Sequence, residues 1–256
     1  MTFPNQLTSQ PTSLPATGFS DRTATTVPAA TRGHGSFPYD AALVATLSEA
    51  ASKDLIAAYG VPVPAEELAA SAADAGAAAD RIGYPVVTKL CGPSIAHKTE
   101  RGLVRLALRD RDAVEAAAAD LFGRARPEDG DVTVLVGAMV SGVRELIAGA
   151  MRDPQFGPCV MLGVGGVLAE AIGDAAFRVA PLSSVDALEL IDDLGSQAIL
   201  GPVRGEPAVD RDRLAVLLVG LGRAITDHAE VRSIDLNPLI VVDGVPTAVD
   251  ALVETA

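Results

Sequence analysis

The chain has 256 residues, 49% of them hydrophobic, and a formal net charge of −13; that is enough apolar content to bury a core without cross-links. No block of Lys or Arg offsets the acidity, which argues against nucleic acid or an anionic membrane as the main partner. The two cysteines, Cys91 and Cys159, exclude a disulfide framework, and no apolar run is long enough to span a bilayer, so a soluble cytoplasmic protein is expected.

Residues 1–38 are rich in Thr, Ser, Pro and Gly and lack apolar periodicity, the composition of a disordered tail; His34 within it has no Cys or His partner for a metal. From Ala41 the apolar residues Leu43, Leu47, Ala51, Leu55 and Ile56 recur at helical spacing up to Gly60 and Pro62, and an alanine-rich helix is expected over residues 65–82. Residues 84–90 and 102–108 have the look of strands, followed by a helix over 111–122. Runs at 132–140, 144–151 and 159–164 are expected to be neighbouring antiparallel strands. Ser183 or Ser184 can cap a helix reaching about Leu194, and a longer helix covers 211–228, where His228 meets the helix C-terminus. The chain closes on a hairpin, 231–242 and 245–253, turning at Asp243-Gly244. Mixed rather than alternating elements suggest an α+β protein with two lobes.

Two stretches carry chemistry. The first is a run ending on Lys89, with no acidic residue nearby in sequence, that enters a Gly-Pro loop holding His97, Lys98 and Thr99. Cations around a titratable nitrogen suit phosphoryl chemistry. The second is the hairpin. If Val242 faces Val245, Asn237 lies opposite Asp250, with Asp235 two residues away on the same face. Opposed β-carbons are roughly 5 Å apart, so three oxygen-bearing side chains could share one magnesium ion. Pro238 implies an edge or bulge at that point. Glu145 and Glu170 sit among apolar residues and need partners, and Gly163-Val-Gly-Gly is only a fragment of a dinucleotide fingerprint.

In chain order, Tyr59-Gly-Val-Pro-Val-Pro, Ile82-Gly-Tyr-Pro-Val-Val-Thr-Lys, Pro93-Ser-Ile-Ala-His-Lys-Thr, Asp153-Pro-Gln-Phe-Gly-Pro, Gly163-Val-Gly-Gly, Leu200-Gly-Pro-Val-Arg-Gly and Ile234-Asp-Leu-Asn-Pro-Leu resemble the ATP-grasp β subunit, or equivalent domain, of the ADP-forming acetyl-CoA synthetases, the NDP-forming acyl-CoA ligases. The sequence departs from that pattern at Gly92, Glu100, Leu103 and Gly137. The resemblance implies an ATP-grasp fold, with ATP or ADP held between two α+β lobes, a smaller one at about 39–135 and a larger one at about 136–256. It implies that His97 handles the phosphoryl group of a phosphohistidine relay. It also implies that Lys89 contacts nucleotide phosphates, that Glu145 lines the nucleotide pocket, and that adenine lies along Val136, Ala138 and Met139 by backbone groups. Asp235, Asn237 and Asp250 match its magnesium pattern. The family's CoA-binding and acyl-handling domains are expected on an α-type partner subunit, in a hetero-oligomer. A non-catalytic nucleotide-binding scaffold and a succinyl-CoA-synthetase-like ligase subunit are the alternative readings.

Overall fold

The computed structural model describes residues 45–92, 94–95, 98, 101–166 and 169–256. The tail 1–38 with His34, the catalytic candidate His97, and the side chain of Glu170 lie outside the described residues.

The first helix begins later than its apolar spacing suggests. Residues β1 (Ala45–Thr46) are extended, and α1 (Glu49–Ala58) starts only after Ser48, whose hydroxyl accepts a hydrogen bond from the Ala51 amide at 3.3 Å. The expected helix 65–82 likewise divides into β2 (Glu66–Ala69) and α2 (Ala72–Ile82), because Ser71 is extended and its hydroxyl accepts from the Asp74 amide at 3.1 Å. Then come β3 (Val86–Cys91), β4 (Val104–Leu108), α3 (Arg111–Gly123) and β5 (Thr133–Ala138). These four strands form one antiparallel sheet, in the order β2-β5-β3-β4. On one face Val86, Leu90, Val134 and Val136 pack with Ala75 and Ala79 of α2 and Val114 and Leu121 of α3.

The second sheet uses β6 (Arg144–Asp153), β7 (Gly157–Val164), β8 (Ala175–Val179), β9 (Val231–Val242), β10 (Val245–Ala248) and β11 (Leu252–Thr255), with α4 (Ala169–Ile172), α5 (Ser184–Asp192) and α6 (Arg211–Asp227) among them. Its order is β1-β11-β9-β6-β7-β8, with β10 also paired to β9. Leu214, Leu217, Leu218, Leu221 and Ile225 form the apolar stripe of α6, against Leu146, Val160, Leu162, Leu236 and Leu239. His228 caps α6, its amide donating to the Ala224 carbonyl at 3.2 Å.

Three further expectations need correction. The runs at 132–140, 144–151 and 159–164 are not three neighbours: β6 and β7 pair, but β5 lies between β2 and β3 in the other sheet. Apolar patterning marks a strand without choosing its sheet. Nor do the lobes divide at 135/136. That boundary falls inside β5, while Ile56 and Val61 are buried in the core of the seven-stranded sheet, so β1 and α1 belong to the larger lobe. Residues 245–253 are two strands, not one, interrupted at 249–251.

Candidate functional site

A cleft of about 250 Å³ opens between the two sheets. Strand alternation decides which side chains reach it. In β3, Val86, Thr88 and Leu90 are fully buried, so Val87 and Lys89 point the other way and line the cleft. In β5 the same parity sends Leu135 and Gly137 to the cleft and Val136 into the core with α2 and α3. The Val136 side chain therefore points away from the cleft; of the expected adenine segment, Gly137, Ala138 and Met139 line it. Their amides are already engaged: Ala138 donates to the Ala65 carbonyl at 2.8 Å and Met139 to that of Pro85 at 3.0 Å. What these residues offer is a flat apolar wall, faced by Pro238 and Ile240 from the larger sheet.

The opposite wall is made by the hairpin, whose register is the expected one. Val242 pairs with Val245, and both Leu239↔Ala248 and Asp235↔Leu252 keep the same phase. Asn237 and Asp250 therefore face each other in the gap between β10 and β11, where no ladder pair forms. Pro238 has no amide hydrogen to give, and the pairing of β9 with β6 slips by one residue there. Burial records the slip: Ile234 and Leu236 are inside before it, Leu239 and Val241 after it. Both strands change face together, so Pro238, Val249 and Asp250 all line the cleft, with Asp235 and Asn237 exposed on either side of Leu236.

Both carboxyls are raised, and Asp235 senses Asp250. Desolvation and then the charge of Asp250 raise the Asp235 carboxyl above its usual range, and burial followed by the charge of Glu49 raises that of Asp250. No group of three His, Cys, Asp or Glu suited to a metal occurs among the described residues. Asp235, Asn237 and Asp250 would offer two carboxylates and one amide, hard oxygens of the kind magnesium takes.

Lys89 is not short of an acid. Its ammonium donates to Glu49 Oε1 at 2.5 Å and to the Val249 carbonyl at 2.8 Å. Glu49 also meets Lys53 Nζ at 2.9 Å and, through Oε2, Lys98 Nζ at 3.0 Å, with its own side chain wholly shielded from solvent. Lys53 bonds Glu66 at 2.7 Å, and Lys98 lies 3.8 Å from Asp250. Burial works to raise the Glu49 carboxyl, yet the ammoniums of Lys89, Lys53 and Lys98 outweigh it and bring it to about 2. The sequence does carry a sign of this cluster: Glu49, Ser52, Lys53 and Ile56 occupy one i, i+3, i+4, i+7 stripe, so two charged residues share the buried face of α1.

Glu145 stands opposite Ile240 with a carboxylate oxygen 3.6 Å from where a Cβ on Gly166 would lie, beside the glycine turn that ends β7 and outside the cleft lining. That turn explains the fingerprint-like Gly163-Val-Gly-Gly. A Cβ on Gly165 would come within 3.0 Å of the Glu145 backbone, so the glycine serves a close strand contact. Both cysteines are free thiols, Cys91 buried.

Residues 41–255 match the ATP-grasp domain family. The chain belongs to the ATP-grasp family. It is 37% identical over 208 residues to the β subunit of ADP-forming acetate–CoA ligase I of Pyrococcus furiosus, covering 80% of this chain and 90% of that one. It is 35% identical to the ADP-forming 4-hydroxybutyrate–CoA ligase of Nitrosopumilus maritimus, over 77% of this chain but only 29% of that longer protein. Among solved structures, dinucleotide-forming acetyl-coenzyme A synthetase 1 of Ca. Korarchaeum cryptofilum, with coenzyme A, Ca-AMPCP and HgCl+, aligns with a TM-score of 0.77 at 35% identity, covering 83% of this chain and 94% of that one. A second structure of that protein, with coenzyme A and Mg-AMPPCP, has its phosphohistidine segment pointing towards the nucleotide-binding site and aligns at 0.70, 35% identical over 81% of this chain and 92% of that one. The homologues of this ATP-grasp chain are thus β subunits of ADP-forming acetate–CoA ligases and related acid–thiol ligases, and its domain is a nucleotide-binding one. No helix among the described residues is long and apolar enough to cross a membrane.

Proposed function

We propose that the chain is the nucleotide-binding, β-type subunit of an ADP-forming acyl-CoA synthetase. Acid, CoA and ATP would be interconverted with acyl-CoA, ADP and phosphate through a phosphohistidine relay, with an α-type partner supplying the CoA-binding and acyl-handling domains in a hetero-oligomer. The observation that carries this reading is the composition of the cleft: an apolar slot that opens at one end on Lys89 from one sheet and Asp250 from the other. A purine base fits the slot, and phosphates suit the charged end. Asp235, Asn237 and Asp250 would hold magnesium, which neutralises charge on transferring phosphate oxygens. Lys89 and Lys98 would supply cations on the other side of the phosphates. His97, the residue before Lys98, would carry or relay the phosphoryl group. Coverage of 90% of a β subunit but 29% of a longer ligase agrees with a division of labour between subunits.

The test is transfer of label from γ-labelled ATP with magnesium, with and without an α-type partner. Acid-labile label that needs the partner and disappears in His97→Ala, while nucleotide binding persists, is the expected result. Full turnover by His97→Ala in the reconstituted complex, or nucleotide binding with no label on either subunit, overturns the relay.

A further inference from the structure

Among the described residues, Glu49 is the one carboxylate that meets all three of Lys53, Lys89 and Lys98. It belongs to α1, in the core of the larger lobe, whereas Lys89 is on β3 of the smaller lobe and Lys98 on the loop that follows it. Each ammonium has a second partner: Glu66 for Lys53, the Val249 carbonyl for Lys89 and Asp250 for Lys98. Those partners differ in kind. Lys53 and Glu66 form a close pair at 2.7 Å that survives without Glu49, whereas Lys89 would keep only a carbonyl and Lys98 only a carboxylate 3.8 Å away. Three ammoniums against Glu49, Glu66 and Asp250 make the cluster neutral as it stands. A buried carboxylate that neutralises a cation needed by an anionic ligand is a competitor for that ligand; it is also a splint that keeps the cation in place until the ligand arrives.

Resting on the reading that nucleotide phosphates bind at Lys89 and Lys98, we infer that Glu49 is a positioning residue that stands in for those phosphates. In the nucleotide-free protein it holds both ammoniums, and with them the smaller lobe, against α1. Incoming phosphates take Lys89 and Lys98 from it, and Lys53 stays with Glu66. Affinity for nucleotide is thereby restrained while the lysines remain aligned for transfer.

The two effects separate in one variant. Glu49→Gln keeps the side-chain shape and removes the competing charge, so magnesium-ATP should bind about tenfold more tightly by titration calorimetry, an ordinary size for coupling between two ligands. The splint acts before the ligand arrives, so the same variant should lower the melting temperature of the nucleotide-free protein more than that of the magnesium-ATP complex; a purely structural glutamate would weaken binding along with stability. In the Lys89→Met background the effect of Glu49→Gln on affinity should shrink markedly, since most of its influence is exerted through that ammonium. Unchanged or weaker binding by folded Glu49→Gln overturns the inference. Should that variant not fold, Glu49→Asp draws the charge back from the ammoniums and should tighten binding two- to threefold; unchanged affinity there overturns it equally. If wild type itself binds no magnesium-ATP, or Lys89→Met binds it as well as wild type, the assignment of the cleft to nucleotide fails instead.

Discussion

Lys89 reaches the cleft because it is one residue out of phase with the buried positions of β3, and that parity is readable from the apolar run around it. The register that sets Asn237 opposite Asp250 was legible for a similar reason, since the two-residue turn at Asp243-Gly244 keeps its phase across the break at Pro238. Glu49 was not legible as the partner of Lys89, from which it is separated by 40 positions and a change of lobe. Spacing within one element says nothing about a contact of that kind. The raised carboxyl of Asp235 carries its own prediction. Its ionised form is opposed by the charge of Asp250, so Asp235→Asn should relieve repulsion and raise the melting temperature in EDTA by about 2 °C, the shift expected from roughly 0.5–1 kcal/mol in a domain of this size. The same variant should lose the magnesium dependence of nucleotide binding. A lower melting temperature in EDTA would show that the two carboxylates are not in conflict.

At the scale of elements, the segments that the apolar pattern misassigned are those decided by single polar residues. Ser48 and Ser71 cap helices later than the pattern implies, and the residues ahead of each are recruited into sheets by partners far along the chain: Ala45 by Thr255, Leu68 by Leu135. Hydrophobic period alone cannot see either event. Another polar anchor lies at Arg101, just ahead of β4. Arg101 donates to both oxygens of Asp129 at 2.7 and 2.9 Å, and the Arg126 amide donates to the same carboxylate at 2.9 Å. The Arg101 bonds, opposed by burial, hold the Asp129 carboxyl down to about 2. Its ordinary value is 3.8, so its stabilisation is complete at neutral pH, begins to fade below about pH 5 and is lost as the pH falls through about 2. Asp129→Asn should therefore be less stable by about 2 kcal/mol at pH 7, with the gap narrowing from pH 5 downwards. Urea unfolding across that range reads both, and a gap independent of pH would mean that Asp129 acts by shape rather than charge.

For the molecule as a whole, the two lobes were visible as a class of architecture but not as a partition of the chain, because α1 precedes the smaller sheet in sequence and packs under the larger one. Each lobe has its own core, and ion pairs and the hydrogen bond from the Lys89 ammonium to the Val249 carbonyl join them at the cleft. A ligand bound across that junction should stabilise both together: magnesium-ATP at 100 times its dissociation constant should add about 2.7 kcal/mol and move a single melting transition upwards. Stabilisation of only one of two resolved transitions would mean that the ligand contacts one lobe. Finally, Ala45 lies directly across from Thr255 where β1 pairs with β11. Ala45 and Thr255 are therefore neighbours on one sheet edge. A module spliced before residue 45 or after residue 255 would emerge at nearly the same spot, so gene fusion in either order leaves this domain's own architecture undisturbed, and a short bridge between the two points would suit a circular permutation.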